Sequence, residues 1–175
     1  ITCDPDLPRG VPIVRMASEE TAQTVGEYVC LAALSILRDG KRLANAQAAA
    51  RWDPFEQPHT ALDKRVGVMG LGNIGRVAAR MLRGLGFTVT GWARSPRALD
   101  GVKVHSGASG LDGFLAQSDI LVGLLPETPQ TRGLLDRDRI RRGLGAVLEL
   151  DHVRGPAAGR APAIVNGTGT STLPR

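Results

Sequence analysis

"VGVMGLGNIGRVAARMLRGLGFTVTGWARSP", residues 66–96, is the stretch that decides the fold. An apolar run leads directly into Gly70, Gly72 and Gly75, spaced as GxGxxG, and a helix-forming segment follows at once. In such a turn the first glycine permits the tight bend, the second lets the backbone approach a diphosphate, and the third lets the helix pack on the strand. The alternative is a strand–helix turn that is merely tight. We predict that a dinucleotide binds at the helix N-terminus.

The segment after the second predicted strand lacks the carboxylate that NAD sites place there. That acid stands about 20 residues beyond the glycines and binds the adenosine ribose hydroxyls. Here no Asp or Glu lies between Lys64 and Leu99, and Arg94, Ser95 and Arg97 follow the strand. Two guanidiniums and a hydroxyl suit a 2′-phosphate, which a carboxylate would repel. The sequence therefore predicts NADP(H) over NAD(H); the alternative is that both arginines are solvated loop charges.

Apolar runs alternate with helical segments after residue 64. This order predicts the α/β class: a Rossmann-type, doubly wound parallel sheet, incomplete and preceded by a long packing or dimer helix. The predicted strands are 65–70, 87–92, 102–105, 120–125 and 146–150, and the predicted helices are 74–84, 111–117 and 136–142. The nucleotide-binding domain is expected over 18–150, with a connector at 53–64 and its core at 65–150.

The long helix is predicted over residues 18–38. Ser18 suits the N-cap, acidic residues in the first turn favour the positive end of the helix dipole, and Asp39–Gly40 supplies a stop. Its small residues let another helix approach closely, so we expect it to pack on a helix or on a second subunit in a homodimer. A short strand is expected at 11–16 and a helical piece at 45–50.

The fourth predicted strand ends in Leu125 and Pro126, at the carboxyl edge where open α/β sheets bind ligands. Thr128 and Thr131 follow, and capping of the next turn is as good an interpretation as ligand contact. The predicted cofactor-binding residues are Gly70, Leu71, Gly72, Asn73, Ile74, Gly75, Arg94, Ser95, Arg97, Leu125, Pro126 and Thr131.

Composition narrows the class of protein. The 175 residues are 42% hydrophobic and 22% charged, without an apolar run that could cross a bilayer, so no membrane partner is expected. The net charge of +5 is spread out and aromatic residues make up 3%, which argues against nucleic acid. The arginines at 132–142 are interpreted as a solvated helix face. Cys3 and Cys30 indicate no disulfide framework, and no metal site is predicted.

The start at Ile1 has no basic-then-apolar leader, and we interpret it as cut rather than processed. A cytoplasmic location is therefore expected.

GLGNIG at 70–75, WARSPR at 92–97 and SDILVGLLPETPQTRGLLD at 118–136 together resemble the D-isomer-specific 2-hydroxyacid dehydrogenases, and among them the NADPH-dependent glyoxylate/hydroxypyruvate reductases. The resemblance covers residues 11–147. It implies a two-domain enzyme in which residues 1–17 are a remnant of the substrate domain and interdomain strand. It also implies hydride transfer between NADP(H) and a small 2-keto or 2-hydroxy acid. In this family an Arg holds the substrate carboxylate, a His donates the proton, and a Glu orients that His.

The sequence departs from the family pattern after Leu148. Arg154 is displaced by one position, and a one-residue shift in a strand turns a side chain to the opposite face, so Arg154 is not assigned the carboxylate-binding role. The family's Glu and Pro-His pair do not follow. His59, His105 and His152 are not expected to donate protons, and no catalytic residue is predicted.

The segment 151–175 is rich in Gly, Ala, Pro, Thr and Ser, and it is expected to be divergent and poorly ordered. An altered reading frame or a junction is the hypothesis for its origin. We accordingly expect this chain alone to be inactive. The alternatives are a non-catalytic NADP(H)-binding module and a non-functional truncated product.

Overall fold

The computed structural model describes residues 12, 18–54, 58–126, 128–136 and 139, together with the backbone of two strands at 146–149 and 163–166. The strand predicted at 11–16, most of the helix predicted at 136–142, His152 and Arg154 lie outside these residues. The helices are α1 (Glu19–Leu37), α2 (Gly40–Ala48), α3 (Asn73–Gly84) and α4 (Leu111–Leu115), with a 3₁₀ turn at Ala61–Asp63. The strands are β1 (Arg65–Met69), β2 (Thr88–Ala93), β3 (Lys103–Ser106), β4 (Ile120–Gly123), β5 (Ala146–Glu149) and β6 (Ala163–Asn166).

The strands form one sheet in the order β3-β2-β1-β4-β5-β6. The first five are parallel, and β6 runs antiparallel to β5. Order 3-2-1-4-5 is that of a Rossmann fold, with ligands expected at the carboxyl ends of β1 and its neighbours. The predicted α/β class is confirmed.

Both faces of the sheet are covered, because alternate residues of each strand pack on opposite layers. Val66 and Val68 of β1 join the cluster formed with α1 and α3. Met69 lies on the other face and packs with Trp92 of β2 and Phe114 of α4. This two-sided burial is why the strands read as nearly continuous apolar runs.

Helix α1 begins and ends as predicted. The Ser18 side chain caps it by accepting a hydrogen bond from the Thr21 N–H at 3.1 Å. The helix packs on α3 of the same chain, where Gly26 leaves room for Met81: a Cβ at Gly26 would lie 2.6 Å from the Met81 sulfur. Asp39, at φ 50°, ends α1 and starts α2 at once, so α2 begins five residues earlier than the predicted helical piece.

The end of α4 and the end of β4 differ from the prediction by two residues each. The Gln117 and Ser118 N–H groups bond to carbonyls three residues back, which tightens the chain into a 3₁₀ turn after Leu115. The Leu124 N–H still donates to the Met69 carbonyl at 2.9 Å, so the chain stays beside β1 after the last strand residue.

One part of the segment 151–175 forms a strand, and the order of the rest of the segment stays a prediction. Residues 163–166, AIVN, form β6 and pair with all four residues of β5. The physical reason is the run Ala-Ile-Val, whose β-branched residues favour a strand, next to the open edge of β5.

An ion pair fixes the edge of the sheet opposite the glycine turn. The Asp119 carboxylate accepts hydrogen bonds from the Arg65 backbone N–H at 2.8 Å and from its guanidinium at 2.7 and 3.1 Å. The guanidinium holds the pKa of Asp119 below its ordinary value. The starts of β1 and β4 are thereby tied together.

Within the described part of the chain, none of the helices combines the length and apolarity that a bilayer crossing needs.

Candidate functional site

The first glycine of the turn lies between the ends of three strands. Gly70 has φ +98°, a conformation that side-chain-bearing residues rarely adopt, and its N–H donates to the Trp92 carbonyl at 2.9 Å. A Cβ there would also lie 2.8 Å from the Leu124 carbonyl oxygen and 3.2 Å from Leu125 Cδ2. Gly70 therefore brings the carboxyl ends of β1, β2 and β4 together.

The second and third glycines do different things. Gly72 caps α3, is exposed, and a Cβ there would meet nothing within 4 Å. No side chain among the described residues caps this helix, so its first N–H groups have no capping partner there and lie beside the open space at Gly72. Gly75 is buried, and a Cβ there would lie 1.8 Å from the Gly70 carbonyl oxygen, so only glycine lets α3 lie on the turn. This is the geometry of a helix N-terminus that accepts an anion.

The three other residues of the turn differ in what they can offer a ligand. Leu71 is 2% exposed and rests on Gly91, where a Cβ would lie 2.6 Å from Leu71 Cδ1. Only the backbone of Leu71 is therefore available. Asn73 is exposed and Ile74 is half-buried. Gly91 was missed by the sequence reasoning; its signal is a glycine inside an otherwise β-forming strand, a mark of close approach.

The basic segment after β2 reaches back to the glycine turn. Arg97 Nη1 donates to the Leu71 carbonyl oxygen at 3.0 Å, which holds the segment against the turn. Arg94 and Ser95 are exposed, and among the described residues Arg94 has neither a hydrogen-bond partner nor an ion-pair partner. The segment that carries both arginines is thus held beside the turn by Arg97, and the Arg94 guanidinium is unengaged among the described residues.

The end of β4 contributes an apolar side. Leu125 is half-buried next to Gly70, and Pro126 is exposed. The Thr131 hydroxyl donates to the Pro126 carbonyl at 2.7 Å and accepts from the Thr128 N–H at 2.9 Å. These bonds support the capping alternative for Thr131, whose contact with a ligand stays a prediction.

Two histidines fall within the described residues, and neither lies in the glycine turn. His59 is exposed in the connector before β1. His105, in β3, packs its ring on Phe114 with centroids 6.1 Å apart. Burial, and secondarily the charge of Lys103, lowers the pKa of His105 below its ordinary value. The described residues also hold no group of three His, Cys, Asp or Glu placed to bind a metal ion. The glycine turn and the basic segment beside it can bind and orient an anionic ligand. Neither of the two described histidines is placed in this turn to donate a proton.

Comparison with known proteins gives a consistent result. Residues 30–148 match the family model described as D-isomer specific 2-hydroxyacid dehydrogenase, NAD binding domain. The chain is 36% identical over 131 residues, 75% of its length, to glyoxylate/hydroxypyruvate reductase A of Yersinia enterocolitica. That alignment spans 42% of the relative, so the chain covers about two fifths of the curated relatives it matches.

Solved structures agree with the sequence relatives. The D-isomer specific 2-hydroxyacid dehydrogenase of Xanthobacter autotrophicus Py2, in complex with NADPH and MES, superposes with a TM-score of 0.75 at 39% identity. The match covers 89% of this chain and 64% of that one. The NADPH-dependent glyoxylate/hydroxypyruvate reductase of Sinorhizobium meliloti, in complex with NADP and sulfate, superposes with a TM-score of 0.71 at 40% identity, over 80% of this chain and 43% of that one.

Proposed function

This chain belongs to the D-isomer specific 2-hydroxyacid dehydrogenase family, and we propose that it is the nucleotide-binding portion of an NADPH-dependent 2-keto-acid reductase of the glyoxylate/hydroxypyruvate type. The reaction is hydride transfer between NADP(H) and a small 2-keto or 2-hydroxy acid. The relatives named above as glyoxylate/hydroxypyruvate reductases support this substrate class.

The choice of NADP(H) rests on one observation above all. Arg94 and Ser95 stand exposed where an NAD site has its acid, and Arg97 is held to the Leu71 carbonyl at 3.0 Å. A phosphate on the adenosine ribose would meet guanidinium and hydroxyl donors there and no carboxylate between residues 64 and 99. The relatives crystallised with NADP and NADPH support the same coenzyme.

The chain's own residues hold and orient the coenzyme, which supplies the hydride when bound. The free N–H groups at Gly72 and the start of α3 receive the diphosphate. Gly70, Asn73, Ile74 and Gly75 shape that turn. Leu125 and Pro126 cover the nucleotide from the β4 side. These groups exclude water from one face of the coenzyme and move no proton themselves.

Binding without turnover is the expected behaviour of the 175-residue chain. Titration followed by NADPH fluorescence should give a micromolar Kd, with NADH weaker by about 10- to 100-fold because its ribose offers the arginines no phosphate. Absorbance at the NADPH band should stay constant with glyoxylate or hydroxypyruvate, because the family's Glu and Pro-His pair, which orient and donate the proton, do not follow Leu148 in this sequence.

Two results would contradict this expectation in different ways. Clear NADPH oxidation would show that proton donation comes from a group we have not placed. A well-folded chain that binds neither coenzyme would leave the non-functional product as the better account. Circular dichroism on the same sample separates that outcome from simple misfolding.

We propose that a second copy of the chain covers the outer side of α1. Leu31, in the middle of this helix, is a large apolar side chain that is 63% exposed and would be covered in such a dimer. Sedimentation velocity should give a dimer, and Leu31→Lys should shift it to monomer because a charge would be buried; Gln23→Lys, near the start of the same helix, is the matched control. A monomer for both the unmodified chain and Gln23→Lys would end the proposal.

The cytoplasmic location stays a prediction.

A further inference from the structure

A groove runs along α3, on the side that faces the connector between β2 and β3. Its cavity volume is about 400 Å³. Asn73, Arg76, Arg80 and Arg83 line it from the helix, and Leu99 and Val102 line it from the connector. We call it the α3 groove.

Two arginine–carbonyl bonds fix the wall that faces the helix. Near the start of α3, Arg97 Nη1 donates to the Leu71 carbonyl at 3.0 Å. Near the end of α3, Arg83 Nη1 donates to the Asp100 carbonyl at 2.7 Å. Gly101 lies so close that a Cβ at this position would contact the Arg83 guanidinium. The connector therefore runs beside α3 from its first turn to its last. Asn73 lines the end of the groove next to the glycine turn, and we call this end its mouth.

The helix wall carries guanidiniums that nothing in the described chain neutralises. Arg76 and Arg80 are exposed and have neither a hydrogen-bond partner nor an ion-pair partner among the described residues. They stand four residues apart, a spacing at which like charges destabilise a helix. Among the described lining residues Asp100 is the one acid, and it adjoins Arg83 at the opposite end from Arg76. A guanidinium in this position without a partner is available to bind an anion.

We propose that Arg76 is a further specificity-determining residue, whose guanidinium binds the adenosine 2′-phosphate from the α3 side while Arg94 and Ser95 bind it from the β2 side. The inference rests on the proposed function. Arg76 stands in the first turn of α3, about 6 Å along the axis from Gly72. Arg80 stands about 6 Å further down the same face, which places it away from the mouth. The two residues share residue type, exposure and groove, so Arg80 is a matched control.

The experiment compares Arg76→Gln with Arg80→Gln, since glutamine keeps the helix propensity and removes the charge. Calorimetric titrations use NADPH, NADH and 2′,5′-ADP, the last of which isolates the 2′-phosphate. Arg76→Gln should weaken NADPH and 2′,5′-ADP by about tenfold and leave NADH within about twofold. Arg80→Gln should leave all three within about twofold. Arg76→Lys should restore part of the loss.

The outcomes separate the inference from the function it rests on. If the unmodified chain prefers NADPH and Arg76→Gln retains that preference in full, Arg76 does not contact the phosphate and the inference is overturned. Equal losses in both variants would also overturn it, because a diffuse field would then account for the effect. If the unmodified chain shows no preference for NADPH, the proposed function itself has failed.

Discussion

Replacing Arg94 and Arg97 together by alanine is expected to weaken NADPH binding by about 10- to 100-fold, toward the affinity of NADH, while NADH binding falls much less. That loss corresponds to about 1.4–2.8 kcal/mol, close to one charge-assisted hydrogen bond to a phosphate, because Arg97 already bonds to the Leu71 carbonyl and both side chains are exposed to solvent. NADH presents a ribose hydroxyl at the same place, so it has little to lose. Fluorescence titration of both coenzymes gives the ratio directly.

The two arginines are not equivalent, and the single variants should differ. Arg94 has no protein partner among the described residues, so Arg94→Ala should affect NADPH alone. Arg97 also holds the connector to the Leu71 carbonyl, so Arg97→Ala should cost NADH some affinity as well. Arg38→Ala, whose guanidinium contacts the His59 carbonyl on another part of the surface, controls for net charge. An unchanged ratio of NADPH to NADH affinity in the double variant would contradict the whole assignment of the coenzyme.

The glycine turn could be predicted from sequence because its requirements are local. A positive φ at Gly70 and a helix start at Gly72 depend on residues within one turn of chain, and GxGxxG after an apolar run records both. The start of α1 was predictable for the same reason, since Ser18 caps a group three residues away. In each case the partner atoms lie close in the chain.

Features that depend on the path of the chain in space could not be predicted. Nothing in WARSPR indicates that Arg97, rather than Arg94, bonds to a carbonyl 26 residues earlier. The glycine inside β2 indicates a close approach, but nothing near it in the sequence indicates that its partner is Leu71 of the glycine turn. The β-branched residues of AIVN favour a strand, but nothing in these four residues indicates that β5 is its partner.

Gly75→Ala is expected to remove coenzyme binding and to lower the free energy of unfolding by about 3 kcal/mol or more, at the upper end of overpacking effects. The new methyl group would lie 1.8 Å from the Gly70 carbonyl oxygen, which is backbone and cannot rotate away. Helix α3 must then move off β1, and the N–H groups at its start move with it. Urea denaturation followed by circular dichroism measures the stability, and NADPH titration measures the site.

Gly84→Ala is the control, because it makes the same chemical change at the other end of the same helix. A Cβ at Gly84 would meet nothing within 4 Å, so alanine should be neutral or stabilise the helix by about 0.5–1 kcal/mol. The contrast isolates the contact from helix propensity, which favours alanine at both positions. Should Gly75→Ala unfold at the same urea concentration as Gly84→Ala and still bind NADPH, α3 does not rest on the Gly70 carbonyl. The anion site would then have to be placed somewhere other than the start of this helix.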